Sequence, residues 1–462
     1  MTRKQFLRLG ALLGTAISMT LTPSARGQSV DALLDKLVDK GVLSIKEANA
    51  LKQDSDEGFT KAFQAKTGMP DWVSAYKFGG DFRGRFEQNN SENSAYIERD
   101  RYRYRLRLGV SVTMLENFEV GARLASGNPL TNPGGTLVGG SPITANQDLS
   151  SLDSRKFLWI DAAYGKWTAI KSPDWTLSAT IGKMENPFLL SPMIWDADIN
   201  PEGGALQLAH NFSDTQAIKL NGGFFVLDEL NQPKAVGGFT PDANHDPYLY
   251  GAQLLWESKW TPKFDTALGV AALDIVHSKD ALSSQLQPFY NSGNSRNANG
   301  FLVNNYNPII GTASATYKFD SLPLYPAAFP VKVSGEYMAN PGARNNNVGY
   351  RAGLTLGKAG IKRGWEINYR YQRLEADAWF DALVDDDNGG YYATGNPQMA
   401  GTGKLNGWYG GTNVKGHLMQ GTYSFTDFLN FTFTYYLNDL IINAPGKDSS
   451  AGHFMADVMW KF

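Results

Sequence analysis

The sequence predicts an all-β protein: a transmembrane antiparallel β-barrel of about sixteen strands, preceded by a short N-terminal periplasmic helical hairpin. Three observations lead to this fold class. The chain begins with an export signal, apolar and polar residues alternate at every second position from Tyr76 to the end, and the connections alternate between short and long. Beyond the signal, no apolar run approaches the roughly 18 residues that a membrane helix requires, which excludes a helical membrane protein.

Composition excludes several classes of function. The 462-residue chain contains no cysteine, so disulfides, thiolate nucleophiles and cysteine-ligated metals are excluded. A formal net charge of −2 provides no basic field for nucleic acid.

Residues 1–27 have the three parts of a secretory signal peptide. A basic start ending at Arg8 precedes an apolar run from Leu9 to Leu21. The small residues Ala25 and Gly27 occupy the −3 and −1 positions, which predicts cleavage before Gln28.

Residues 28–71 are expected to form a periplasmic helical segment and a linker. Apolar residues recur at helical spacing between Val30 and Val38, and Gly41 can close that helix. Ser44 and Glu47 form a capping box that starts a second helix. The hairpin is either a tether packed against the rest of the chain or an oligomerisation element, and a polar linker follows it.

Residues 72–462 carry the alternation of a barrel. Aromatic residues crowd the apolar face near strand ends, as in the interfacial girdles of outer-membrane barrels. The expected strands, each about the length that a tilted strand needs to cross a bilayer, start near Tyr76, Arg99, Phe118, Phe157, Trp175, Gly203, Gln216, Tyr248, Phe264, Ile309, Pro330, Asn347, Gly364, Val414, Leu429 and His453. Because two of these segments alternate poorly, the count is bracketed between about 14 and 18 strands.

An arginine ladder marks one face of the second strand. Tyr and Leu side chains occupy the alternate positions of this strand, and arginines facing lipid would cost several kcal/mol each near the midplane, so the arginine face is expected to line the lumen. The predicted pore-lining residues on this strand and its neighbours are Arg83, Arg85, Arg101, Arg103, Arg105, Arg107 and Arg123. This set is either a basic wall that attracts anions or a structural ladder neutralised by Asp81, Glu87, Glu98 and Asp100.

The segment from Glu185 to Gly203 lies where an extracellular loop belongs, yet it carries several large apolar residues. Folding back into the barrel would bury these residues and turn Asp196, Asp198 and Glu202 toward the lumen as a constriction loop. The alternative is an ordered lid packed on the barrel rim.

Enzymatic chemistry has no support in the motifs. The chain lacks a nucleophile elbow, a phosphate-binding loop and a zinc-protease motif, and its five histidines are scattered. No catalytic residue, cofactor or metal ligand is therefore predicted. The acidic run from Asp385 to Gly389 fails the EF-hand spacing and is interpreted as a solvated loop, with a weak divalent-cation or lipopolysaccharide-bridging site as the alternative.

The segments Gly182–Phe188 and Trp195–Gly203, the helical stretch after the signal and the aromatic C-terminus resemble the putative porins of Gram-negative outer membranes. The arginine ladder is similar, more weakly, to the basic wall of anion-selective porins. The resemblance implies passive diffusion of small hydrophilic solutes or anions through a barrel embedded in lipid and lipopolysaccharide. It also implies that the barrel assembly machinery recognises the terminal Trp460 and Phe462, and a homotrimer is plausible for a barrel of this size. The competing hypothesis is a closed structural or adhesion barrel whose long loops bind surface partners.

Overall fold

The structure is a computed structural model. It describes residues 70–92, 98–131, 137–229, 246–280, 293–297, 301–392, 407–443 and 448–462. The predicted signal peptide and helical hairpin lie outside the described residues. Among the residues that are described, no helix has both the length and the apolarity needed to cross a bilayer.

In the described part of the chain, sixteen long strands form one antiparallel sheet in which each strand pairs with its neighbours in sequence. Their bounds are β1 Val73–Ser91, β2 Arg99–Met114, β3 Phe118–Ser126, β4 Leu158–Lys171, β5 Trp175–Lys183, β6 Glu202–Ser213, β7 Gln216–Val226, β8 Tyr248–Thr261, β9 Phe264–Val276, β10 Ile309–Phe319, β11 Phe329–Ala339, β12 Val348–Gly357, β13 Trp365–Leu374, β14 Val414–Ser424, β15 Leu429–Leu440 and β16 Ala451–Lys461. Strand β16 pairs with β1 from Asp81 opposite Lys461 to Ser91 opposite Ala451, which closes the sheet into a barrel. The predicted all-β barrel of about sixteen strands is therefore confirmed.

The smaller elements lie in the connections. Gln147–Asp148 adds a two-residue strand beside β2, and two hairpins are formed by Pro129–Thr131 with Leu137–Gly140 and by Gly389–Tyr392 with Gly407–Gly410. Single 3-10 turns occupy Leu115–Asn117 and Ser278–Asp280. In the first of these, Glu116 and Asn117 adopt φ of 60° and 61°, the left-handed pair that joins two twisted strands tightly.

The first two strands are longer than predicted, at 19 and 16 residues. They pair with each other over nearly their whole length, from Ala75 opposite Thr113 to Asn89 opposite Arg99. Each additional residue pair satisfies backbone hydrogen bonds, so the hairpin extends beyond its neighbour β3.

The outer face of the barrel is apolar. Phe78, Tyr102 and Ile181 are exposed by 76%, 57% and 70%, far more than large apolar side chains normally are in a water-soluble monomer. Aromatic residues concentrate near the short turns, where Phe118 stacks on Trp167 with ring centroids 5.6 Å apart. This arrangement matches the aromatic girdle that the sequence predicts.

Candidate functional site: an arginine wall facing two inward loops

The seven predicted arginines lie on β1, β2 and β3, at the positions that alternate with the exposed aromatic residues; we call them the arginine wall. Their side chains are exposed by only 6% at Arg85 and Arg103 and by 23% at Arg107. The alternation of the strands therefore turns these side chains toward the interior of the barrel.

Strand register brings like charges together within this wall. Arg83 lies directly opposite Arg105, and Arg85 directly opposite Arg103, on β1 and β2. Like charges in such positions repel, so carboxylates must lie close to them. Asp81 of β1 supplies one, with its oxygens 2.8 Å from Arg105 and 2.7 Å from Arg107.

A second carboxylate on β1 serves the other end of the wall. Glu87 forms ion pairs with Arg101 and, at 3.0 Å, with Arg103. Asp81 and Glu87 thus act as the counter-charges that the sequence indicates. Within the described part of the chain, Glu98 and Asp100 make no ion pair with the wall. The alternative of a neutralised ladder is therefore wrong for these two residues, because Glu98 precedes β2 and Asp100 lies at its exposed start.

Other counter-charges come from distant parts of the sequence. Asp457 of β16 accepts two hydrogen bonds from Arg85, of 2.7 and 2.9 Å. Asp148 lies 2.8 Å from Arg103, and Arg123 pairs with Asp161. The remaining partners of the wall come from the two loops described next: Glu185, Asp198 and Asp387.

The first inward loop, residues 184–201 between β5 and β6, packs inside the barrel. Met193 and Ile194 are fully buried, and Trp195 is 3% exposed. They form one apolar cluster with inner-face residues of the barrel such as Phe225 and Leu249. The apolar residues, which would be unusual in an exposed loop, therefore anchor this loop against the apolar part of the barrel's inner face.

Two glycines make this path possible. Gly182 has φ of +111°, and a Cβ there would lie 2.4 Å from the carbonyl oxygen of Ala163, so only glycine allows the chain to leave β5 in this direction. On β8, a Cβ on Gly251 would lie 2.4 Å from Cζ of Phe188. The bare backbone at Gly251 forms the recess that receives this ring.

A second inward loop, residues 375–388 after β13, was not predicted from the sequence. Trp379 is fully buried, Phe380 is 2% exposed, and both belong to the same apolar cluster as the first loop. The two loops are joined by hydrogen bonds from Trp379 Nε1 to the carbonyl oxygen of Ile194, 2.8 Å, and from the Asp196 backbone N–H to the carbonyl oxygen of Leu383, 2.7 Å. The signal that could have revealed this loop is the same excess of apolar residues.

Contact between the loops creates an acidic cluster. One carboxylate oxygen from each of Asp196, Asp385 and Asp386 lies within 4.8 Å of the other two. The interpretation of Asp385–Gly389 as a solvated loop is wrong, since Asn388 is 4% exposed and the aspartates before it face the interior. These three carboxylates are the groups that could approach a cation, although Arg370 already lies 3.5 Å from Asp385.

Burial and mutual repulsion perturb these acids. Burial together with Asp386 and Asp385 raises the pKa of Asp196 well above its ordinary value. Burial and the neighbouring Asp387 raise the pKa of Asp385 to about 6 and that of Asp386 well above its usual range. Asp387 behaves differently because Arg85, against the effect of burial, lowers its pKa.

The predicted acidic residues of the first loop separate into two groups. Asp198 faces the wall, 3.5 Å from Arg105, and Asp196 joins the acidic cluster. Glu202 contacts neither the arginine wall nor the acidic cluster. It begins β6, is mostly exposed and pairs with Lys183 at 2.9 Å. Its expected position on the inward loop is wrong, because strand pairing resumes at that residue.

A cavity of about 310 Å³ lies between the wall and the two loops. Its charged lining consists of four arginines, Arg83, Arg85, Arg105 and Arg370, and five aspartates, Asp196, Asp198, Asp385, Asp386 and Asp387. Opposite charges thus face each other across a space large enough for a small hydrated solute.

The predicted assembly residues lie where the barrel closes. Trp460 is on the outer face of β16, and the Phe462 backbone exchanges hydrogen bonds of 2.8 and 3.1 Å with Gly80 of β1. The last residue of the chain therefore takes part in closing the sheet.

Comparison with known proteins agrees with this architecture. Residues 89–302 match the family model described as putative porin. No curated protein matches the chain.

Several solved structures resemble it at low identity. OprB of Pseudomonas putida is 12% identical with a TM-score of 0.49, covering 88% of this chain and 97% of that one. Salmonella typhi OmpF in complex with daunomycin is 9% identical with a TM-score of 0.44, covering 84% and 97%. A mutant of Rh. blastica porin is 10% identical with a TM-score of 0.41, covering 84% and 100%. At these TM-scores the likeness supports no functional conclusion.

Proposed function

We propose that the protein is a diffusion channel of a Gram-negative outer membrane, starting from the match of residues 89–302 to the family model described as putative porin. The observation that carries the proposal is a closed barrel with an apolar exterior and a charged interior. An apolar exterior suits lipid, and charged inner walls suit hydrated solutes. Family and fold together indicate a channel rather than an enzyme.

The arginine wall, Asp196 and Asp198 are proposed to line the narrowest part of the path. The charges there are separated in space, with arginines on the strands and aspartates mainly on the loops. Such an arrangement produces a field across the path, which selects solutes by charge and dipole.

A preference for anions follows from the protonation of the acidic cluster. With all groups ionised, four arginines and five aspartates give the cavity a net charge of −1. The raised pKa values of Asp196 and Asp386 favour their neutral forms, and with both neutral the net charge becomes +1. The neutral acids, more than an excess of arginines, therefore favour anions.

The test is the single-channel conductance of refolded protein in a planar bilayer, with the reversal potential measured under a KCl gradient. We expect open channels that prefer chloride, and a weaker preference when Arg103 and Arg105 are replaced by Glu. A preference for potassium would retain the channel and refute the anion selectivity. A verified folded barrel that never conducts would overturn the proposal in favour of a closed structural or adhesion barrel.

A further inference from the structure

Arg351 of β12 differs from the arginines of the wall. Each of those seven has a carboxylate at ion-pair distance. Within the described part of the chain, Arg351 makes no ion pair and donates no hydrogen bond, and its buried Nε has no partner. A guanidinium group in a protein interior normally has an anionic or carbonyl partner, so this one is available to a ligand.

The neighbours of Arg351 are engaged elsewhere. Glu336 lies directly opposite on β11, but its carboxylate accepts hydrogen bonds from the hydroxyl and, at 3.4 Å, from the backbone N–H of Ser191 in the first inward loop. Arg370, on the next strand, contacts Asp385 at 3.5 Å and the Tyr436 hydroxyl at 3.3 Å. Glu336 therefore anchors the loop; it attracts Arg351 electrostatically but makes no ion pair with it at contact distance.

Arg351 faces a cavity of about 330 Å³, separate from the one beside the arginine wall. The first inward loop forms one side of it, through Leu189 and Ser191. Three hydroxyl groups lie on the strand side, those of Thr312 and Ser314 on β10 and of Ser334 on β11, beside apolar residues such as Leu255 and Ala267. The register places Ser314 opposite Ser334 and Thr312 opposite Glu336, so these groups and Arg351 occupy two adjacent rows of the barrel wall.

The remaining charges of this cavity leave it favourable to an anion. Lys332 adds a second cation. Glu257 already pairs with Lys219 at 2.7 Å. Among the residues that the structure describes, the carboxylates at this cavity are thus bound by protein groups, whereas the guanidinium of Arg351 donates no hydrogen bond.

We propose that this cavity is a binding subsite for small polyhydroxylated carboxylates, with Arg351 binding the carboxylate and the serine and threonine hydroxyls binding the hydroxyl groups of the solute. A guanidinium binds a carboxylate through two parallel hydrogen bonds, and protein hydroxyls both donate to and accept from solute hydroxyls. The volume is at the lower end of the range for small-molecule sites. The inference rests on the proposed channel, because the solute reaches the subsite through the lumen.

The experiment measures binding of gluconate to the open channel. Conductance is first recorded in KCl alone, and sodium gluconate is then added to one side while current interruptions are counted. We expect saturable block by gluconate, with Arg351→Gln weakening the apparent affinity about tenfold, the effect of one charge-assisted hydrogen bond. The apparent gluconate affinity of Arg351→Lys should lie between those of wild type and Arg351→Gln, since lysine keeps the positive charge but cannot form the two parallel hydrogen bonds.

Matched controls separate the subsite from general electrostatics. Lys263→Gln removes one positive charge at an exposed turn, where Lys263 pairs with Asp320, and should leave gluconate binding unchanged. Propionate, which has a carboxylate and no hydroxyls, should bind several-fold more weakly than gluconate.

The outcomes distinguish this inference from the proposed function. A wild-type barrel that does not conduct KCl refutes the channel itself. A conducting channel in which Arg351→Gln binds gluconate as tightly as the wild type overturns the subsite, as does equal binding of propionate and gluconate. If Arg351→Gln yields no folded barrel, Ser334→Ala decides: several-fold weaker gluconate binding supports the subsite, and unchanged binding refutes it.

Discussion

Raising the pH through about 6, the pKa of Asp385, is expected to weaken the anion preference of the channel. The groups responsible are Asp196, Asp385 and Asp386, where the two inward loops meet. Acids with raised pKa values remain neutral to higher pH than ordinary carboxyls, so the cavity is most positive at low pH and loses positive charge as the pH rises.

The magnitude follows from distance and charge. The carboxylate oxygens of the cluster lie within 4.8 Å of one another, and two unit charges at that limit repel by about 3.5 kcal/mol at an effective dielectric constant of about 20. Full ionisation of all three acids is therefore strongly opposed near neutral pH. Below about pH 6, where Asp385 is also neutral, the net charge of the cavity is +2; it falls to +1 and finally to −1 as the cluster ionises.

The assay is the reversal potential under a tenfold KCl gradient, for which ideal selectivity gives about 59 mV. Wild type should shift from anion preference toward cation preference as the pH rises. The double variant Asp196→Asn, Asp386→Asn should keep its anion preference at high pH, since it cannot acquire these two charges. Asp320→Asn, at an exposed turn, is the matched control, and its reversal potential should change with pH as that of the wild type does. A reversal potential that does not change with pH in wild type, or that titrates equally in the double variant, would refute the reasoning.

Three further predictions concern the loops and the barrel seam. Trp379→Ala removes a fully buried side chain that joins the two inward loops, which should cost about 3–5 kcal/mol of stability. The barrel should remain folded, but the current noise of the open channel should increase. Unchanged noise would contradict the packing role of Trp379. Arg296→Gln removes the ion pair of Arg296 with the buried Asp381, at a cost of about 3–5 kcal/mol. Limited proteolysis of the folded protein should therefore cut the second inward loop faster than in wild type, and Lys263→Gln should have no such effect. Phe462→Ala keeps the backbone bonds to Gly80 and should lower the amount of assembled barrel in cells without changing single-channel conductance; normal assembly would count against a terminal recognition signal.

The strand pattern was predictable because it depends on local alternation. Predicted strand starts such as Phe118, Trp175, Gln216 and Phe264 coincide with the observed ones, since a period of two residues persists in each segment and the turns contain typical turn residues. The inward direction of the arginines follows from the same alternation once one face must contact lipid.

The partners of those arginines were only partly predictable. Asp81 and Glu87 are within reach because they lie on the adjacent strand, whereas Asp457 reaches Arg85 only when β16 closes on β1. The second inward loop was missed because its long, polar connection was treated as solvated.

The sequence by itself determined the β class, the approximate strand number, the two faces of each strand and the arginine ladder. These properties depend on residues at most a few positions apart, where backbone geometry alone sets the direction of each side chain. Only the tertiary structure decided that Asp457 and Asp387 complete the neutralisation of the wall and that Asp196 meets Asp385 and Asp386. It also decided that Arg351 forms no ion pair among the described residues. Those outcomes depend on contacts between residues more than a hundred positions apart, and strand closure and loop packing determine them without leaving a local pattern in the chain.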